Sequence, residues 1–123
     1  MAAYHCAAAL ASNYLVATID AAAHVLAGAG VSAAQAAQAL VPLGEGALRN
    51  VAAKGTTDGL TGPVRRGDAA TVQRHLEALR GKPDLAEIYR ALARRAVEIA
   101  GRIDGPEAPD RAGLDAIRTL LES

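Results

Sequence analysis

The sequence predicts an all-α fold of five to six helices built around a long first helix. Residues 4–29, YHCAAALASNYLVATIDAAAHVLAGA, hold no proline and no glycine before Gly28, and they are rich in alanine, the best helix former. The chain has no Trp or Phe and only three aromatic residues, Tyr4, Tyr14 and Tyr89. Its core is therefore made of small aliphatic side chains, which suit close helix packing better than strands. No stretch alternates apolar and polar residues as a half-buried strand does.

The first helix would run for roughly 40 Å at 1.5 Å per residue. Leu10, Leu15, Val16, Ile19, Val25 and Leu26 point several ways around it. Such a helix asks for burial on several sides. Its own domain and a second copy of the chain are the expected covers. Ser12, Asn13, Asp20 and His24 interrupt the run, and a charge in mid-span weighs against a membrane helix. No Lys or Arg precedes Arg49, which weighs against a signal peptide.

Gly28-Ala29-Gly30 stops the first helix. Ser32 is placed to N-cap a helix from Ala33 to about Val41, which Pro42 should break or kink. A further helix is expected from Leu43 to Lys54, ended by Gly55. Residues 55–68, GTTDGLTGPVRRGD, read as an ordered connector. Asp68 is a good N-cap for a helix over Ala69–Arg80, with Val72, His75, Leu76 and Leu79 on one face. After the turn at Gly81-Lys82-Pro83, a helix to about Ile103 carries Leu85, Ile88, Tyr89, Leu92, Ala96 and Ile99 at helical spacing. Asp104-Gly105-Pro106 breaks it, and a last helix spans about Asp110 to Leu121.

At 123 residues the chain suits a single helical domain. Thirteen basic and thirteen acidic residues cancel, so no nucleic-acid or anionic-membrane surface is indicated. The single Cys6 rules out an internal disulfide and fits a reducing cytoplasm. One Cys and three scattered His make no metal site. The chain opens directly on its most apolar helix, as a piece of a longer protein or a partner-dependent domain would.

Two groups of residues are candidates for chemistry. In the first helix His5, Ala9 and Asn13 follow at i, i+4 spacing and share one side, where a histidine and an asparagine can face a small polar substrate. Equally, Asn13, Asp20 and His24 can be no more than the wetter stripe of that helix. The second group is Leu60-Thr61-Gly62-Pro63-Val64-Arg65-Arg66-Gly67-Asp68. Two arginines before a helix N-terminus can grip a carboxylate or phosphate. A surface turn in which Asp68 caps the helix and pairs with an arginine accounts for the same residues. His75 lies on the apolar face of its helix, two turns after the arginines, as a buried, hydrogen-bonded histidine or as support for that site. Phosphate-binding loops and nucleophile elbows are absent, and with them the nucleotide-binding part of a dehydrogenase.

Tyr4-His5-Cys6-Ala7-Ala8, Ala11-Ser12-Asn13-Tyr14-Leu15-Val16, Leu60-Thr61-Gly62-Pro63, Arg66-Gly67-Asp68 and His75-Leu76, in that order, resemble the C-terminal helical domain of a poorly characterised bacterial family. Its members join an N-terminal Rossmann domain to an all-helical one and are similar to ketopantoate reductases, pyrroline-5-carboxylate reductases and β-hydroxyacid dehydrogenases. The resemblance covers roughly residues 3–100. It implies a fold like the 6-phosphogluconate dehydrogenase C-terminal domain, which forms the dimer and closes the substrate cleft. It further implies that Asn13 faces nicotinamide and substrate, with His5, Ser12, Thr61, Arg66 and His75 as the other site residues. β-Hydroxyacid dehydrogenases carry a catalytic lysine one turn before that asparagine, where this chain has Ala9.

The expectation is a cytoplasmic, homodimeric, substrate-cleft domain of an NAD(P)-dependent oxidoreductase, catalytically silent without its Rossmann partner. The chain alone is expected to bind no cofactor. NAD(P) is implied for the parent, with a small anionic substrate held by Arg66. A stand-alone homodimeric interaction module explains the apolar first helix equally well. An all-helical enzyme of the chorismate-mutase type would need Arg90, Arg94, Arg95 and Arg102 to converge.

Overall fold

The computed structural model describes all residues, 1–123, and contains no strand. The elements are α1 (Ala2–Ala11), α2 (Asn13–Ala27), α3 (Ala33–Gly59), the single-turn α4 (Pro63–Arg66), α5 (Ala69–Ala78), α6 (Pro83–Ala100), a 3-10 turn (Gly105–Glu107) and α7 (Arg111–Glu122). The all-α expectation holds. Two compact units, Met1–Glu45 and Gly46–Ser123, divide the chain, and α3 runs from one into the other.

In the first unit, the long helix is interrupted once. Ser12 leaves helical geometry at φ −127°, ψ −72°, and Asn13 restarts the helix at once. Ser and Asn compete for the backbone with their own side chains, so this pair is a natural weak point. Ser32 caps α3 as expected. Its hydroxyl accepts from the Gln35 N–H at 3.2 Å, and its own N–H donates to Gln35 Oε1 at 3.3 Å. This is a capping box with glutamine at the third position. Pro42 does not end the helix. The carbonyl it leaves without a donor belongs to Gln38, an exposed residue that water can serve. Gly55, at φ 81°, breaks the helix where expected. The backbone then doubles back, because a Cβ on Gly59 would lie 3.2 Å from the Asn50 carbonyl.

The first unit has almost no core. Ala23 and Ala36 are its only buried residues, while Leu15, Ile19 and Leu26 are half-buried. Tyr4, Leu10, Tyr14 and Val16 are 66, 63, 57 and 70% exposed. The expectation that its own domain covers the first helix is therefore corrected. The unit holds only the first part of α3 besides α1 and α2, which is too little to cover a helix on several sides. By length and composition alone, the Ala2–Ala27 run is long and apolar enough to cross a membrane.

The second unit has the core. Val64, Val72, Ala93, Val97, Ala100, Leu114, Ile117 and Leu121 are buried together, with Leu60, Leu76 and Tyr89 packed against them. The last helix supplies Leu114, Ile117 and Leu121, three of the largest fully buried side chains. The expected inner face of α6 is partly corrected. Ala93, Val97 and Ala100 are buried, whereas Ile88 and Leu92 point to solvent. Small residues face inward because α4 and α7 both pack closely on this helix.

Arginines tie α6 and α7 together at both ends. Arg90 donates to the Leu120 carbonyl at 3.0 Å, which also accepts from the Ser123 hydroxyl, and Arg94 donates to the Leu121 carbonyl at 3.2 Å, so both guanidinium groups serve the C-terminal carbonyls of α7. In return, Arg111 at the start of α7 donates to the Ile103 carbonyl just beyond α6, at 2.9 Å.

Two glycines allow the tightest approach. Gly67 is left-handed, at φ 68°, and a Cβ there would lie 2.7 Å from the Asp110 carbonyl oxygen. A Cβ on Gly113 would overlap the Gly67 carbonyl oxygen. Gly67→Ala should therefore destabilise the fold more than Gly81→Ala, whose φ of 80° is also positive but which opens on empty space. The Gly81 change should cost about 1–2 kcal/mol from backbone strain alone. Urea unfolding of the two variants checks this, and equal losses would refute the close-approach account.

Candidate functional site

The segment from Thr61 to Thr71 folds for reasons that can be read residue by residue. Gly62, at φ 93°, turns the chain into Pro63, whose fixed φ starts α4. One turn later Gly67 closes it, with its N–H on the Val64 carbonyl and the Asp68 N–H on that of Pro63. Asp68 then caps α5. Its carboxylate accepts from the Thr71 N–H at 3.1 Å and the Thr71 hydroxyl at 2.7 Å. Arg66 stands 3.8 Å from Asp68 Oδ2, and Arg74 donates to the Thr71 hydroxyl at 2.9 Å.

The result is a partly exposed cluster with two guanidinium groups. The Thr71 hydroxyl and N–H hold the Asp68 carboxyl below the usual carboxylate range, and Arg66 and Arg74 add to this, while desolvation opposes it. Arg66 keeps 62% of its side chain exposed. Thr61 is exposed one residue before the Gly62 turn.

His75 belongs to the same helix, one turn past Thr71. It is exposed rather than buried, which corrects the buried reading. Val72, Leu76 and Leu79 take the inner face instead. Its Nδ1 lies 3.0 Å from the Tyr89 hydroxyl, with the two rings edge to face at 5.8 Å. Burial pushes the Tyr89 hydroxyl above its usual range. Sequence reasoning missed Tyr89 as a polar partner, since nothing in the spacing brings residues fourteen apart onto facing helices.

In the first unit, His5 lies in α1 against the edge of Tyr4, with ring centroids 6.0 Å apart. Ser12 is the break, and Asn13 opens α2. All three are exposed. His24 Nδ1 sits 2.8 Å from the Asp20 carbonyl oxygen of its own helix, which fits the wet-stripe reading. Thus His5, Ser12 and Asn13 share one unit, and Thr61, Arg66 and His75 the other.

A cavity of about 540 Å³ lies elsewhere in the second unit, lined by Leu76, Leu79, Arg80, Pro83, Arg90 and Leu120 among others. Of the residues singled out from sequence for chemistry, only Arg90 reaches it. Arg90 and Arg94 are engaged with α7, and Arg95 with Glu98 at 2.9 Å. These arginines do not converge as a chorismate-mutase-type site requires. No group of His, Cys, Asp and Glu is placed to hold a metal ion, and Cys6 is a free, exposed thiol.

The family model described as "Domain of unknown function (DUF2520)" matches residues 1–96, and the chain belongs to that family. No curated protein matches the chain significantly, nor does any solved structure.

The Asp68 cap makes stability depend on pH with a definite sign. A carboxyl held low in the folded state contributes stability above the usual carboxylate range and loses it as pH falls through its own lowered value. Asp68→Asn keeps a capping oxygen but should flatten this acid limb. Unfolding midpoints measured from neutral to strongly acidic pH check it, and an unchanged acid limb in the variant would rule out Asp68 as the source.

Proposed function

We propose that this chain is the dimerising, substrate-cleft domain of a cytoplasmic NAD(P)-dependent oxidoreductase, related to the 6-phosphogluconate dehydrogenase C-terminal-like domains, and that it is inactive alone. The observation that carries the reading is the α1–α2 run. Its sequence carries the Ser12-Asn13 part of the resemblance to such enzymes, and its outer surface, with His5, Ser12 and Asn13, is open. An apolar helical surface of this length is built to meet another surface.

In this reading Asn13 hydrogen-bonds the substrate and orients it at the nicotinamide. His5 is the nearest group to replace the lysine that β-hydroxyacid dehydrogenases have at the position of Ala9, and it would move the proton. Arg66, with Thr61 and His75 on either side in sequence, offers an exposed guanidinium to an anionic substrate or cofactor group. The cofactor itself belongs to a Rossmann domain outside this chain.

The chain alone should bind neither NADH nor NADPH by calorimetry. The coding sequence ahead of Tyr4 should contain a glycine-rich strand–turn–helix. In that longer protein, Asn13→Ala and His5→Ala should each lower kcat about 100-fold. Wild-type turnover in both variants would overturn the site, and an upstream sequence without a Rossmann pattern would overturn the whole reading in favour of a stand-alone interaction module.

A further inference from the structure

Between α5 and α6 the chain leaves a space that neither helix fills. Both pack on α7, and neither packs along the other. They diverge from the turn at Gly81, and the end of α7 supplies a third wall through Leu120. The cavity of about 540 Å³ lies in this gap, wholly within the second unit. Its volume is in the range of small-ligand sites, roughly 300–1,000 Å³.

The walls are of two kinds. Leu76, Leu79, Pro83, Ala86 and Leu120 give apolar surface, while Arg80, Arg90 and Glu77 give charge. Ala86 and Arg90 stand one turn apart on α6, so a small apolar residue and a guanidinium meet the gap together. Such a mixture suits a ligand with one charged end and one apolar end.

The two arginines are in different states. Arg90 is half-buried, and its Nη1 donates to the Leu120 carbonyl at 3.0 Å. That bond holds the guanidinium in place and uses one of its five N–H groups. No carboxylate lies within ion-pair distance of Arg90, although six other ion pairs form in the chain. The Arg80 side chain has neither a hydrogen bond nor an ion pair, and Glu77 has no cation beside it. The charged groups of this cavity are thus left to whatever enters it.

We propose that the cavity binds a small monocarboxylic acid. Its carboxylate is received by Arg80 and Arg90, and its short branched apolar body lies against Leu76, Ala86 and Leu120. The sign and number of charges select this class. Two guanidinium groups and one carboxylate leave a single positive charge unanswered, which one carboxylate neutralises. A planar carboxylate also matches the guanidinium fork. Glu77 repels a second carboxylate or a doubly charged phosphate. An amine would bring a cation to two arginines, and an alcohol would leave them without an anion.

The site shares no residue with the Asn13, His5 and Arg66 assignment. It holds whether or not the chain belongs to an oxidoreductase.

The probe is 4-methylpentanoate, titrated into the 123-residue chain by calorimetry and followed by amide NMR. Its dissociation constant should be about 1 mM or tighter. The amides of Leu76, Leu79, Ala86 and Leu120 should shift and saturate together. 4-Methylpentan-1-ol and 4-methylpentan-1-amine, with the same body, should bind at least about tenfold more weakly, as should the diacid 3-methylglutarate. Arg80→Gln removes an exposed side chain with no folding contact and should weaken 4-methylpentanoate about tenfold or more. Ala86→Trp fills the space and should abolish binding. Arg102→Gln changes an exposed arginine outside the cavity and should bind as the wild type does. Far-UV circular dichroism reports folding in each variant, and Arg80→Gln decides alone if Ala86→Trp does not fold.

The inference is overturned if 4-methylpentanoate shows no saturable binding, or if its shifts centre on Arg66 and Thr71. It is equally overturned if Arg80→Gln binds as tightly as the wild type, or if the alcohol or the diacid matches the monoacid. The oxidoreductase reading is decided separately, on the upstream sequence and on kcat, so the two can fail independently.

Discussion

The passage of Gly67 against Asp110 and Gly113 is the contact on which the second unit depends. A chain without Phe or Trp cannot fill a core with large rings, so its helices must come closer than side chains normally allow. Two glycines at the crossing make that possible, one left-handed and one inside the first turn of α7. With the backbones in contact there, Leu114, Ile117 and Leu121 drop into the space between α4, α5 and α6. The arginine bonds from α6 to the end of α7, and from α7 back to the end of α6, then hold both helices in register.

The same crossing explains why Arg-Gly-Asp reads so readily as a binding motif. Gly67 is required by the crossing, and Asp68 by the first turn of α5. Only Arg66 is left without a folding task beyond a long ion pair at 3.8 Å. With two of its three residues committed to the backbone, the motif leaves Arg66 as the one side chain that stays largely in solvent.

Much of the fold was legible because it rests on local chemistry. Ser32 and Asp68 announce helix starts and Gly55 announces a stop, by rules that reach no further than four residues, whereas the single-turn α4 at Pro63–Arg66 lies in the stretch read as a connector and α6 begins at Pro83, inside the expected turn. What failed was long-range. Leu92 looked like core and is exposed because α4 and α7 approach α6 where Ala93 and Val97 leave room. Pro42 looked like a terminus, yet one missing N–H is cheap where its carbonyl faces water. The candidate site was legible only as a set of residue types. His75 has a polar partner in Tyr89, but that pairing arises because α5 and α6 both pack on α4 and α7, and no local spacing encodes it.

The pattern that places this chain in its family ends at residue 96, inside α6, with α7 still to come. Yet α7 holds Leu114, Ile117 and Leu121 at the centre of the second unit. The stretch that matches the family pattern is thus shorter than the stretch that packs together. A boundary drawn at that point would leave Val64 and Val72 without Val97, Leu114, Ile117 and Leu121 to cover them, and the Gly67 crossing without its other side. Here the family pattern and the packed core have different edges. The last helix, beyond the matched residues, is the part those residues need in order to be buried.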